Sequence, residues 1–281
     1  MEGGVASPAV PTTFIGARKP WQVADWREVV EYRDLLFFLV LRDVTVVYKQ
    51  TVLGFAWALL NPFFSMVVFT VIFGRLVRVP SDGVPYAIFS YVALLPWTYF
   101  SGAVNTASTS LIQGTAIFTK VYFPRIFIPL VPVFSKLVDV AVATLLLALL
   151  MAWYHVVPSI RIVALPLLVA LVVATAAGAG IWLSALAVQY RDVRHAVPVL
   201  TQLLMYAAPV VWPASVIPAR FRPVYGLYPM AGAIEGIRAA VLGTTPMPWD
   251  LIGAAVLSAT LVLFSGLMYF RRTERLFADV A

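Results

Sequence analysis

Between Thr51 and Gly74 the chain carries no Asp, Glu, Lys or Arg, and roughly 20 apolar residues suffice to cross a bilayer as a helix. A charged segment leads straight into this stretch, as RDVTVVYKQTVLGFAWALLNP from Arg42 to Pro62. The residues ahead of it, Trp26 to Tyr48, also read as helical, with Glu28, Glu31, Arg33, Asp34, Arg42 and Asp43 placed around a short apolar run from Leu35 to Leu41. That run is too short to span. Residues 26–50 are therefore expected to lie as an amphipathic helix on the membrane surface.

Gly83 to Thr119, Ile162 to Tyr190, Ala196 to Ala219 and Leu251 to Phe270 are further stretches without charge, and Ile126 to Tyr154 is interrupted only by Lys136 and Asp139. Of 281 residues 62% are hydrophobic and 12% charged, against about 25% charged in soluble domains. The pattern predicts an all-α polytopic membrane protein with six transmembrane helices within residues 51–270. An outer-membrane barrel needs repeated segments of about ten alternating residues, which these continuous runs do not offer. Gly83 to Thr119 is too long for one crossing at about 1.5 Å per residue. Its span is expected at Tyr86 to Ile112, with Gln113 to Arg125 as a cytoplasmic excursion and Pro124 as the break before the next helix.

Residues 1–25 hold no apolar core of signal-peptide length and read as a flexible, retained tail. Residues 26–281 form a single membrane domain, of which 271–281 are a cytoplasmic tail. With six spans both termini share a side. Thirteen of the 20 Lys and Arg then fall on that side, six fall on the other, and Lys136 lies within a span. The positive-inside bias places both termini in the cytoplasm. The net charge of +7 needs no nucleic-acid partner to explain it, and the absence of cysteine excludes disulfides and thiolate metal sites. His155 and His195 lie near opposite membrane faces in this topology and cannot share a metal, so no metal site is expected.

Val210 to Asp250 is too apolar for a solvated loop, and prolines at 213, 218, 223 and 229 prevent one continuous helix. Two short re-entrant helices between spans five and six are expected, dipping into the outer half of the membrane. Irregular backbone at that depth requires cover by protein or a water-filled cavity.

Several separate strings, YKQTVLGFAWALLNP, LLPWTYFSG, FTKVYFPR, QYRDVRHAVP, APVVWP, YPMAGAIEGIR and FRRTERLFAD, together resemble the membrane subunits of ABC exporters of lipid-linked cell-surface glycans. These are the O-antigen, capsular polysaccharide and wall teichoic acid exporters of the bacterial cytoplasmic membrane. The resemblance runs from Tyr32 to Asp279, with Tyr228 where the family commonly has Asn and Val47 where a basic residue is common. It implies a second copy of the chain, two cytoplasmic ABC ATPase subunits that hold ATP and Mg, and a lipid-linked glycan as substrate, moved along a path lined by spans one, two and five. The chain has no G-x-x-x-x-G-K-[ST] segment with which to cradle phosphates itself. It is read as a permease subunit without an ATPase site or cofactor of its own.

Candidate residues follow from charge and aromatic placement. Arg42, Lys49 and Arg191 suit a phosphate headgroup or inner gate, with plain positive-inside anchoring as the alternative. Lys120, Tyr122, Phe123 and Arg125 fall in the loop that the resemblance assigns to ATPase coupling. Trp97, Tyr99 and Phe100 suit a smooth aromatic substrate path, against an interfacial belt for Trp97. Lys136 and Asp139, three apart on one helix face, favour a structural pair. Trp212, Tyr228, Glu235 and Arg238 are candidates for the outer gate, Glu235 and Arg238 pairing either within it or in solvent. Ala176, Gly180 and Ser184 are expected to pack internally. A membrane-embedded polyprenyl-phosphoglycosyl enzyme would want clustered carboxylates and is the less favoured reading, as is a secondary transporter.

Overall fold

A computed structural model of the protein describes residues 30–49, 54–113 and 123–274. These residues are helical or irregular, with no strand among them. Among the described residues nine α-helices follow one another: α1 Arg33–Lys49, α2 Ala56–Phe69, α3 Tyr86–Gln113, α4 Phe127–Trp153, α5 Leu165–Gln189, α6 Val193–Ala207, α7 Arg222–Gly226, α8 Pro229–Leu242 and α9 Trp249–Thr273. A π-helical segment, Thr70–Leu76, extends α2, and a 3-10 turn, Ile160–Ala164, leads into α5 with the Ser159 hydroxyl accepting from the Arg161 amide.

Five stretches among the described residues are helical, long and apolar enough to cross a membrane: Ala56–Leu76, Tyr86–Gln113, Phe127–Trp153, Ile160–Gln189 and Trp249–Thr273. The chain is a multi-pass membrane protein. The span expected at Tyr86 to Ile112 appears as α3 with an end one residue later. Ala196 to Ala219, by contrast, is not one long helix. Helix α6 has 15 residues, about 22 Å at 1.5 Å per residue, and Ala208 leaves it in an extended conformation at ψ 150°. Pro209 explains the stop, since the residue before a proline is driven out of the helical region.

Helix α3 is the axis of the bundle. Nearly its whole length is buried, packed between α4 and α5, while α9 packs on the far side of α5. Small residues permit these approaches. A Cβ on Gly178 of α5 would stand 2.7 Å from the Leu263 backbone of α9, and one on Gly266 would stand 2.6 Å from the Gly178 carbonyl oxygen. Ala176, Gly180 and Ser184 are all buried, and a Cβ on Gly180 would meet Ala107 of α3 at 2.8 Å, so the triad packs internally as its spacing predicts.

Two helices do occupy the proline-rich segment. Helix α7 is five residues long, and α8 runs from Pro229 to the left-handed Gly243, whose φ of 70° suits a residue without a Cβ. Every residue from Met230 to Leu242 is buried. Instead of presenting one apolar face, α8 is enclosed by α3, α5 and α9, touching α9 so closely that a Cβ on Gly232 would lie 2.3 Å from the Leu251 carbonyl oxygen. Helix α1 has no fully buried residue. It leans on α4 through Leu35, Leu36 and Leu39, near Phe123 and Phe127, and leaves Phe37 and Phe38 exposed.

Candidate functional site

The polar residues of the bundle gather in two places along α3, one at its start and one beside its middle, from Thr98 to Asn105. At the end near Tyr86, Arg238 of α8 donates from Nη1 to Glu235 Oε1 one turn earlier, and from Nη2 to the Pro209 carbonyl oxygen at 2.5 Å. The guanidinium carbon lies 3.9 Å from the Phe89 ring centroid of α3. Glu235 Oε1 also accepts the Ala214 amide at 2.9 Å. The side chains are 2% and 8% exposed, which excludes the solvated pair. Burial pulls the Arg238 pKa down and the Glu235 carboxylate opposes it, so the cation depends on its counter-ion. Around this core Tyr86 donates to the Val211 carbonyl at 2.6 Å and Tyr225 to the Ala207 carbonyl at 3.0 Å. Tyr228 donates to the Leu204 carbonyl, and Trp212, its ring against Tyr225, donates to the Tyr206 carbonyl, both at 3.3 Å. Burial raises the Tyr225 and Tyr228 hydroxyls above their usual range, with Glu235 adding to the shift at Tyr225. Both remain neutral donors. The four expected outer-gate residues thus converge on the break between α6 and α8.

The second gathering is a cavity of ≈ 490 Å³ between α1, α2, α3 and α4, bordered by Tyr48, Trp57, Asn61, Thr98, Tyr99, Ser101, Asn105, Lys136 and Asp139 among others. Lys136 Nζ donates to Asp139 Oδ2 at 2.9 Å, with both side chains about a quarter exposed. Asn105 and Thr201 hydrogen-bond at 3.3 Å, joining α3 to α6. Ser135 donates to Asp43 of α1 at 2.6 Å, and the Asp43 charge also acts on Lys136. Asp43 and Arg42 border a smaller cavity of ≈ 160 Å³ with Thr106, Ser110 and Gln113.

The aromatic trio divides. Tyr99 borders the larger cavity and donates to the Val133 carbonyl at 2.9 Å. Trp97 and Phe100 are buried in the core, their ring centroids 5.6 Å apart. Arg42, Lys49 and Arg191 are exposed on α1 and on the turn between α5 and α6, and no hydrogen bond or ion pair joins them to one another. Lys120 and Tyr122 lie outside the described residues. Phe123 packs into a cluster with Phe127 and Phe270, and Arg125 donates from Nη1 to the Glu274 carbonyl at 2.9 Å, tying the start of α4 to the end of α9. Tyr86, Phe89, Tyr225, Asn61, Asn105 and the Asp43–Ser135 link are site residues that charge and aromatic motifs did not single out. For Asn61 and Asn105 a signal existed, an amide inside an otherwise apolar span.

The profile of the ABC-2 type transporter family matches residues 34–242, most of the chain. The chain belongs to the ABC-2 type transporter family. Among its curated relatives, an O-antigen export system permease protein RfbA of Myxococcus xanthus is 32% identical over 68% of this chain and 73% of the relative. A protein of the same description from Klebsiella pneumoniae is 26% identical over 88% of this chain and 95% of that protein. The polysialic acid transport protein KpsM of Escherichia coli is 21% identical over 84% and 92%. The ABC-2 match spans α1 to α8, so both polar gatherings fall within the family region.

Proposed function

We propose that this ABC-2 chain is the transmembrane subunit of an exporter that carries a lipid-linked cell-surface polysaccharide across the bacterial cytoplasmic membrane. The observation that carries the reading is the family match, together with three relatives named for O-antigen export or polysialic acid transport along most of their length. Those names favour an O-antigen or capsular polysaccharide over wall teichoic acid. Two copies of the chain act with two separate ATPase subunits, which supply ATP and Mg. Both termini and Arg125 face the cytoplasm, in keeping with the distribution of Lys and Arg.

In this reading α6 is the shortened fifth of six crossings and α9 the sixth. Helices α7 and α8 re-enter from the outer face and close the path, held by the Glu235–Arg238 pair and by the tyrosines that reach back to α6. The burial of α8 supplies the cover that irregular backbone needs at membrane depth. Helix α1 lies at the cytoplasmic interface with Phe37 and Phe38 toward lipid, and it passes ATPase motion to α4 through Asp43 and Ser135. Deletion of the gene in its host tests the reading. Surface polysaccharide is expected to disappear while its lipid-linked precursor accumulates inside, and plasmid-borne chain restores export. Undiminished surface polysaccharide in the deletion strain overturns the reading.

A further inference from the structure

The cavity between α1, α2, α3 and α4 has a volume of ≈ 490 Å³, within the range of about 300–1,000 Å³ usual for small-ligand sites. Its wall combines aromatic faces with amide, carboxylate and ammonium groups. Asn61 sits in a span and borders the cavity. Its backbone carbonyl accepts from Ser65, but its side-chain amide has no hydrogen-bond partner among the described residues. An unpaired amide is costly among apolar helices. Lys136 spends one of its donors on Asp139, and an ammonium has donors beyond that one. Trp57 is half exposed beside them.

Charge decides what such a wall accepts. A phosphate here meets an ammonium that Asp139 already neutralises at 2.9 Å, so the wall offers it no net positive charge and sets a carboxylate beside it, and like charges at short range repel. A neutral group rich in hydroxyls meets no such penalty. Its hydroxyls donate to Asp139 and to the Asn61 carbonyl oxygen and accept from Lys136 and the Asn61 amide nitrogen. Its weakly positive C–H edge suits the negative face of an indole. We propose that this cavity binds a neutral pyranose ring, as the recognition site for one sugar of the glycan. The proposal rests on the export reading for the source of the sugar, though not for the chemistry that binds it. Asn61 and Trp57 are the binding residues.

The test is saturation-transfer NMR on the full chain in phosphatidylcholine nanodiscs, with the methyl glycosides of glucose, mannose, galactose and N-acetylglucosamine as probes. Saturation is expected to reach the ring protons of at least one glycoside. Loss of one hydrogen-bonding or stacking partner corresponds to about fivefold weaker binding, so Asn61→Ala and Trp57→Ala, both at exposed positions, are expected to weaken the apparent affinity by about that much. Leu145→Ala, on the exposed side of α4, is expected to leave it unchanged. Inorganic phosphate is expected not to compete. No transfer from any of the four glycosides, equal affinity in Asn61→Ala and Trp57→Ala, or displacement by phosphate overturns the proposal. A signal abolished in phosphatidylglycerol nanodiscs assigns the cavity to a lipid headgroup and also overturns it. Because no export is read, failure here leaves the export reading to its own deletion test.

Discussion

Arg238 reaches the Pro209 carbonyl oxygen from Nη2 at 2.5 Å, so the guanidinium of one helix fills the hydrogen-bonding vacancy where another helix breaks. Pro209 stops α6 and frees carbonyl groups that have no intrahelical partner. Trp212 and Tyr225 satisfy two of them, at Tyr206 and Ala207, the α8 arginine takes the Pro209 carbonyl just past the break, and Glu235 neutralises the arginine and takes up the Ala214 amide. Chain break, charge pair and buried helix form one structural unit.

Removal of one partner from that unit is expected to be severe. Arg238→Leu leaves the Glu235 carboxylate without its cation, and loss of one member of a buried pair costs about 3–5 kcal/mol. In detergent the variant is expected to lose most of its monodisperse yield or to unfold at a clearly lower temperature than wild type. Replacing both members with leucine removes the stranded charge and is expected to recover part of the loss. Full stability in Arg238→Leu contradicts the assigned role.

Close helix crossing gives a second test. The Gly178 position has Leu263 backbone atoms 2.7 Å from any added Cβ, and backbone cannot swing aside as a flexible side chain can. Gly178→Val must push α5 from α9, and overpacking of this kind costs about 1–3 kcal/mol. The expected result is a lower melting temperature. Gly253→Val, where an added Cβ meets nothing within 4 Å, serves as the tolerant control, since valine is no worse than glycine inside a helix by intrinsic propensity.

Coupling to the ATPase is tested at Arg125. Its guanidinium ties the start of α4 to the Glu274 carbonyl, next to the segment where the family resemblance places ATPase contact. Arg125→Glu is expected to insert normally yet to co-purify with less ATPase subunit and to export less polysaccharide. Lys120→Glu is expected to act likewise. Wild-type levels of both readouts in both variants favour simple membrane anchoring. The chain purified without its partner is expected to show no ATP hydrolysis, as it has no phosphate-cradling loop.

Much of the fold was legible because long apolar stretches have few alternatives in a membrane: α3, α4 and α9 stand close to where charge-free runs place them. The exception is α6, because Ala196 to Ala219 is uncharged throughout while its helix ends just before a proline within the run. Hydropathy counts side chains and is blind to a missing amide hydrogen. The pairing of Glu235 with Arg238 followed from helical spacing, but its burial did not, since burial depends on α3, α5 and α9, remote in sequence. Charge does not mark Asn61 and Asn105, because an amide carries none. Tyr99 and Trp97 are both buried, against the interfacial belt that the sequence left open for Trp97, and helix rotation brings Tyr99 alone to the edge of the cavity.

Accessibility of the proline-rich segment separates a buried gate from a surface loop. An amphipathic re-entrant helix would protect every third or fourth position. The structure gives a different expectation, since Met230 to Leu242 are buried on all sides while Val224 and Leu227 are exposed by more than half. Single cysteines in this cysteine-free chain are expected to react with a membrane-impermeant maleimide at positions 224 and 227 and to resist it continuously from 230 to 242. If α8 moves as a gate, trapping the ATPase partner with a non-hydrolysable nucleotide raises labelling within 230–242 and leaves positions 224 and 227 nearly unchanged. Protection that stays the same in every nucleotide state makes α8 a fixed part of the core, and the gating role then falls to other residues. Uniform labelling throughout the segment contradicts both the buried helix and the gate.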